Sequence, residues 1–160
     1  MTSGTQDQPV TGLMIPGHWD FRYNYFAGDA ASRFFHELGN RRLMGTRCPS
    51  CQRVLVPARS FCDACFVDTT EWVEVGQRGR LETFTILATK FPGLPDPPVV
   101  IGYVTPEGAS TALLNFVLGI DLGDIDAAAE KLLGRPWVNV RFRDQLEGRI
   151  TDFFFEVEQE

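Results

Sequence analysis

Four cysteines within one short stretch constrain this chain more than any other feature. Cys48-Pro49-Ser50-Cys51 and Cys62-Asp63-Ala64-Cys65 hold every cysteine among the 160 residues. Each Cys-x-x-Cys wraps one tight turn, and two such turns offer four thiolates to a single tetrahedral ion. Zn²⁺ suits that set because it accepts four sulfur ligands and makes no redox demand. Iron accepts the same four thiolates, and spacing does not separate the two metals. Disulfides are the poorer reading, because residues 1–10 are polar and lack the basic and apolar regions of a secretory leader. A thioredoxin-type redox site needs one Cys-x-x-Cys, not a facing pair. Four protein ligands leave no open position, so the expected role of the metal is to staple the fold.

The rest of the chain is ordinary in hydrophobic content, at 44%, and has no apolar run near the ~20 residues that a membrane helix requires. A cytoplasmic protein with no membrane association is the expectation. Charge is uneven. Arg33, Arg41, Arg42, Arg47, Arg53 and Arg59 are accompanied by one acid, Glu37, for a local +5, so the remaining residues carry −11 of the net −6. An acidic chain is a poor general binder of nucleic acid. The arginine group suits one phosphorylated ligand or an acidic partner, and equally a solvated helix face.

In chain order, residues 1–16 read as a tail. The aromatics Trp19, Phe21, Tyr23, Tyr25 and Phe26 come next. Asp29 is the expected N-cap of a helix over about Ala30–Leu38, with Gly39 as its stop. Phe34, Phe35 and Leu38 share one side of it. With so many aromatics ahead of a core, packing within the chain competes with docking on a partner, and docking is favoured. Leu43–Arg47 and Arg53–Val56 flank the first metal turn as short strands, and Trp72–Val75 leads out. From Gly79 the period changes to 2. Strands are expected over 80–87, 99–104, 111–118, 137–143 and 150–157, with a helix over Asp124–Leu133 between the third and fourth. Four prolines stiffen the loop 90–98. Five strands with a helix in that place match the OB-fold, a small Greek-key barrel.

No catalytic motif emerges. His18 and His36 are the only histidines, and the thiols belong to the metal. A binding or accessory protein is the reading. Lys90, Phe91 and, from the arginine group, Arg59 are candidate contacts to a phosphorylated adenine nucleotide through stacking and guanidinium–phosphate pairs.

The run Arg33-Phe34-Phe35, Leu38, Arg42-Leu43-Met44-Gly45-Thr46-Arg47-Cys48-Pro49, Val56-Pro57, Arg59, Glu71-Trp72 and Gly79 resembles the acyl-CoA-associated OB-fold proteins with a rubredoxin-like zinc ribbon. Thr83-Phe84-Thr85, Pro97–Val104 and Gly148–Asp152 carry the resemblance through the barrel, over about residues 30–157. Family members are small non-catalytic subunits of thiolase-type enzymes, among them ketoacyl-CoA thiolases and steroid side-chain aldolases. The resemblance implies a mostly β chain: tail 1–16, helical docking segment 17–45, zinc ribbon 46–76 and five-stranded OB-fold barrel 77–160. It implies a thiolase-like catalytic partner in a heterotetramer or larger assembly, and an acyl-CoA substrate shared with that partner. CoA contacts then fall to Lys90, Phe91 and Arg59, and docking to Trp19, Tyr23, Phe26, Arg33, Phe34, Phe35 and Leu38. A single-stranded nucleic-acid binder and a free CoA-thioester binder are the alternatives. The sequence departs from the family at Gln52 and Phe66, where glycine often follows the second cysteine of a knuckle, and at Ala58, where a second proline is frequent.

Overall fold

The computed structural model describes residues 22–158. Helix α1 spans Gly28–Gly39 and leads into a three-stranded antiparallel sheet of β1 (Met44–Arg47), β2 (Val54–Leu55) and β3 (Glu71–Glu74), in the order β2-β1-β3. Beyond it lies a closed barrel: β4 (Arg78–Leu87), β5 (Val99–Pro106), β6 (Leu113–Leu118), β7 (Trp137–Phe142) and β8 (Phe153–Val157), with α2 (Ile125–Leu133) between β6 and β7. The strand order β4-β5-β6-β8-β7 closes through β4–β7 pairing and includes one parallel pair, β6 with β8. That is the expected OB-fold barrel behind a cysteine-bearing ribbon. Among the described residues, no helix is long and apolar enough to cross a membrane.

The ends of the helices divide by chemistry. α2 is capped as expected: Asp124 accepts hydrogen bonds from the amides of Asp126 and Ala127, both at 3.1 Å. α1 is not. Asp29 lies inside the first turn, the N-cap is Ala27, and no side chain caps it. Gly28, with φ of +78°, admits the chain to the helix. Asp29 still complements the positive end of the helix dipole from inside the turn.

The alternation expected along β4 changes phase midway. A bulge between Leu81 and Thr83 shifts the register against β5. Leu81 before the bulge is buried and Phe84 after it packs on the same core, although three positions separate them. The last strand is shorter than its sequence pattern suggests. Residues Ile150–Asp152 form a 3₁₀ turn before β8. Asp152 organises the approach to it, its carboxylate accepting from the amides of Glu147, Gly148 and Arg149 at 2.7–3.1 Å. Local side-chain-to-backbone bonding of this kind competes with a strand ladder.

One core runs through helix, ribbon and barrel. Phe34, Leu38, Leu43, Val54 and Val75 belong to the same buried cluster as Leu81, Val104, Val138 and Phe155. Hydrogen bonds fix the seam. The Val54 carbonyl accepts from the Ser110 amide at 2.8 Å, and Val56 exchanges two bonds with the Thr111 hydroxyl, at 2.7 and 2.8 Å. The ribbon therefore cannot swing on the barrel without opening these partly buried hydrogen bonds.

Candidate functional site

The two cysteine turns are built alike. In the first, the Cys48 amide donates to the Arg53 carbonyl (2.9 Å) and the Gln52 amide to the Cys48 carbonyl (3.0 Å). In the second, the Cys62 amide donates to the Val67 carbonyl (2.9 Å) and the Phe66 amide to the Cys62 carbonyl (2.9 Å). Gln52 and Phe66 occupy the equivalent place after the second cysteine, at φ +62° and +54°. This is the left-handed region that favours glycine. Without glycine at these places the two turns still share one hydrogen-bonding pattern, and the side chains are carried there at a conformational cost.

The turns bring all four sulfur atoms within 4.8 Å of one another. Cys51 and Cys62 Sγ lie 3.8 Å apart. A tetrahedral zinc site with Zn–S bonds near 2.3 Å has sulfur–sulfur edges of roughly 3.8 Å. Cys48 and Cys62 are fully buried around Leu55, Cys65 is half-buried and Cys51 is exposed. The amide of Cys51 draws the Cys48 thiol down to about 7. The Cys51 thiol goes up to about 11: the Arg53 amide favours its thiolate, but burial and its sulfur neighbours outweigh that. Four thiols this close cannot all ionise without a cation among them, and a divalent ion removes the conflict. The donor set thus fits the structural metal that the sequence implies.

A threonine lock holds the second turn against β1. Thr46 Oγ1 accepts from the Arg59 amide at 3.0 Å and donates to the Arg59 carbonyl at 2.8 Å. Thr69 Oγ1 reaches that carbonyl at 2.5 Å and Thr46 Oγ1 at 3.3 Å. Both threonines are buried.

The arginine group is not a free cationic patch. Arg42 pairs with Glu37 and Glu74, Arg47 with Glu71, and Arg53 and Arg59 share Asp63. Three of those acids come from outside the arginine-rich segment, which is why counting along the chain overstates its charge. Arg33 lies over the Trp72 ring at 4.2 Å.

The expected docking residues separate into two sets. Phe34 and Leu38 are buried, 2% and 0% exposed, and are corrected to core positions. α1 lies on the ribbon and barrel and turns that side inward. Phe35 is half-buried, in edge contact with Phe34 at 5.7 Å. Tyr23 and Phe26 are exposed, and Trp19 lies outside the described residues. Of the expected nucleotide contacts, Arg59 lines the grooves beside α1. Lys90 and Phe91 stand on the β4–β5 loop, with the Lys90 ammonium 2.5 Å from Asp96. Those grooves include neither Lys90 nor Phe91.

Sequence reasoning gave no role to Thr46, on β1, or to Thr69, in the loop before β3, because a hydroxyl there carries no signal of the partner it finds. It also missed the exposed apolar side chains of the second turn, Phe61, Phe66 and Val67.

Two family models match the chain: the rubredoxin-like zinc ribbon domain of ChsH2 over residues 35–71 and the C-terminal OB-fold domain of ChsH2 over residues 72–143. No curated protein matches. Among solved structures, a DUF35-family protein of unknown function from Sulfolobus solfataricus is similar, with a TM-score of 0.59 and 24% identity, over 82% of this chain and 87% of that one. An Ltp2-ChsH2(DUF35) aldolase is similar with a TM-score of 0.57 and 20% identity, over 79% of this chain and 92% of that one. At these identities the likeness to the solved structures is one of fold. The two domain models abut and together span the second half of helix α1, the ribbon and most of the barrel, and on that match the chain belongs to the ChsH2 family of zinc-ribbon OB-fold proteins.

Proposed function

We propose that this chain is the non-catalytic, zinc-binding subunit of a thiolase-type acyl-CoA enzyme that makes or breaks a carbon–carbon bond. The observation that carries the reading is the pairing, in one chain, of a ChsH2-type ribbon and a ChsH2-type barrel, together with the similar fold found in the Ltp2-ChsH2 aldolase. Zinc in the four-thiolate site keeps no open position for substrate and serves to hold the ribbon. The segment 17–45 and the ribbon 46–76 meet the catalytic subunit, with Trp19, Tyr23, Phe26, Arg33 and Phe35 among the docking residues. The barrel 77–160 borders the CoA channel, where Lys90 and Phe91 on the β4–β5 loop, and Arg59, approach the nucleotide end. The catalytic groups belong to the partner.

Co-expression with a thiolase-fold chain tests this. The expected result is a stable complex that turns over acyl-CoA only when both chains are present. Turnover by this chain alone, or a thiolase-fold chain fully active without it, would sink the reading.

A further inference from the structure

Most cations of this acidic chain are answered by a carboxylate or a carbonyl. Two on the barrel side are not. Among the described residues, Arg80 and Lys131 pair with no acid. Both line a groove of about 390 Å³ beside the end of α2 and the start of β4, with Arg135, Trp137 and Glu158. The other charges of the groove are matched. Arg135 pairs with Glu82 and donates to the Leu81 carbonyl at 3.3 Å. Glu158 accepts from Arg78 twice. Two positive charges are therefore left over. Arg80 lies against the Trp137 ring, 5.1 Å from its centre. That contact takes up no hydrogen-bond donor, so the guanidinium N–H groups remain for a ligand. The wall of the groove is tied down. Arg135 follows the helix at φ +53°, where glycine is favoured. The Leu81 amide donates to the Pro136 carbonyl at 3.2 Å. The Glu130 and Leu132 carbonyls at the helix end would repel an anion, but they accept from the Gly134 and Arg135 amides at 3.3 and 3.0 Å.

We propose that this groove binds a small phosphate monoester of nucleotide size. Charge selects the group. A phosphate monoester carries about −1.5 to −2 at neutral pH and matches both free cations, whereas a carboxylate or a phosphodiester matches one. A guanidinium fork beside an ammonium supplies the donors that phosphate oxygens accept from. Volume sets the size, since about 390 Å³ lies near the lower end of the range for small-molecule sites, roughly 300–1,000 Å³. Trp137 adds an apolar wall for a base or sugar. The groove is separate from the CoA contacts proposed above. β4 runs on from Arg80 to Leu87, about 20 Å of extended chain, before the loop with Lys90 and Phe91 begins. Arg59 lines other grooves, on the ribbon side. Neither this groove nor its ligand depends on an accessory role for the chain.

The test uses the full chain at low ionic strength. AMP is titrated by calorimetry and by NMR of the indole N–H groups. The expected result is one site, for which inorganic phosphate competes. The Trp137 indole resonance, identified by its loss in Trp137→Phe, should move on binding. Cyclic AMP keeps the base but carries a single charge, and should bind about tenfold or more weakly. Arg80→Gln and Lys131→Gln should each weaken AMP binding by about tenfold, since each removes a charge-assisted bond. Arg141→Gln is the control: it removes a cation from β7 that is already paired with Glu156, and should change the affinity by less than about twofold. All three positions are exposed, so the variants should melt as the wild type does. Absence of AMP binding overturns the proposal. So does cyclic AMP bound as tightly as AMP, full affinity in the Arg80→Gln, Lys131→Gln double variant, or a loss in Arg141→Gln equal to that in Arg80→Gln.

Discussion

The Asn115 side chain ties β6 to Phe153 where the two strands are not yet paired. Parallel pairing of β6 with β8 is confined to Val117 with Phe155 and Leu118 with Glu156. Just ahead of it, Asn115 Nδ2 donates to the Phe153 carbonyl at 3.0 Å and the Ile150 carbonyl at 2.9 Å, and Oδ1 accepts from the Phe116 amide at 2.8 Å. One buried amide thus completes the barrel wall where backbone pairing falls short.

Asn115→Leu conserves volume and removes all three bonds. The groups left behind are backbone atoms in and beside the barrel wall that lose their partner. The expected loss is about 2–4 kcal/mol, read from the midpoint of urea denaturation at constant slope. A loss below about 0.5 kcal/mol would mean that strand pairing alone closes the barrel.

Thr46 is the corresponding polar group of the ribbon. Thr46→Val keeps the branched shape and strands the Arg59 amide, while the Arg59 carbonyl keeps its bond from Thr69. The cost should be about 1–3 kcal/mol, with metal retained. Loss of metal on this substitution would show instead that the lock positions the cysteines.

These two residues mark where the sequence stopped being informative. The cysteine spacing, the period-2 segments from Gly79 and the Asp124 cap are local signals, and each produced its element nearly where expected. The barrel was legible because its strand count and helix position leave few topologies. What could not be read was which distant partner each group finds. Arg47 and Arg53 look like part of a basic patch until β3 brings Glu71 beside one and the second turn brings Asp63 beside the other. Phe34 and Leu38 look like a docking stripe until the ribbon and barrel cover them. The bulge at Leu81/Thr83 depends on the register against β5. Phe66 was legible as a departure from glycine after the second cysteine, but the direction of its ring is set by the turn and not by the spacing.

Cys48→Ser removes one of the two fully buried ligands. Metal content by mass spectrometry is expected to fall to near zero, with loss of ribbon structure, since binding energy at such sites is folding energy of ~10 kcal/mol or more. Because the ribbon shares its core with the barrel, the melting temperature of the whole chain should drop as one transition. Full metal content and unchanged melting would overturn the four-ligand site.

Arg78 and Glu158 join the start of the barrel to its last strand. The guanidinium meets the carboxylate twice, at 2.7 and 2.8 Å, while lying over the Trp137 ring at 4.2 Å. The hydrogen bond and charge of Arg78 hold the Glu158 carboxyl below its ordinary range. The folded state therefore binds this proton less readily than the unfolded chain does. Its stabilising contribution is present above the ordinary carboxylate range and is lost as pH falls through the depressed value. The raised value of Arg78 lies far above any working pH and adds no pH dependence of its own. Wild type and Glu158→Gln should then differ in denaturation midpoint at pH 7 and converge as pH falls below the ordinary carboxylate range and through the depressed value. Taking the difference cancels the carboxylates common to both chains. Added salt should shrink the gap at pH 7, because the pair is only partly shielded from solvent. A gap that persists undiminished into acid would assign the effect of Glu158 to packing, and leave the closure of the barrel to the β4–β7 ladder.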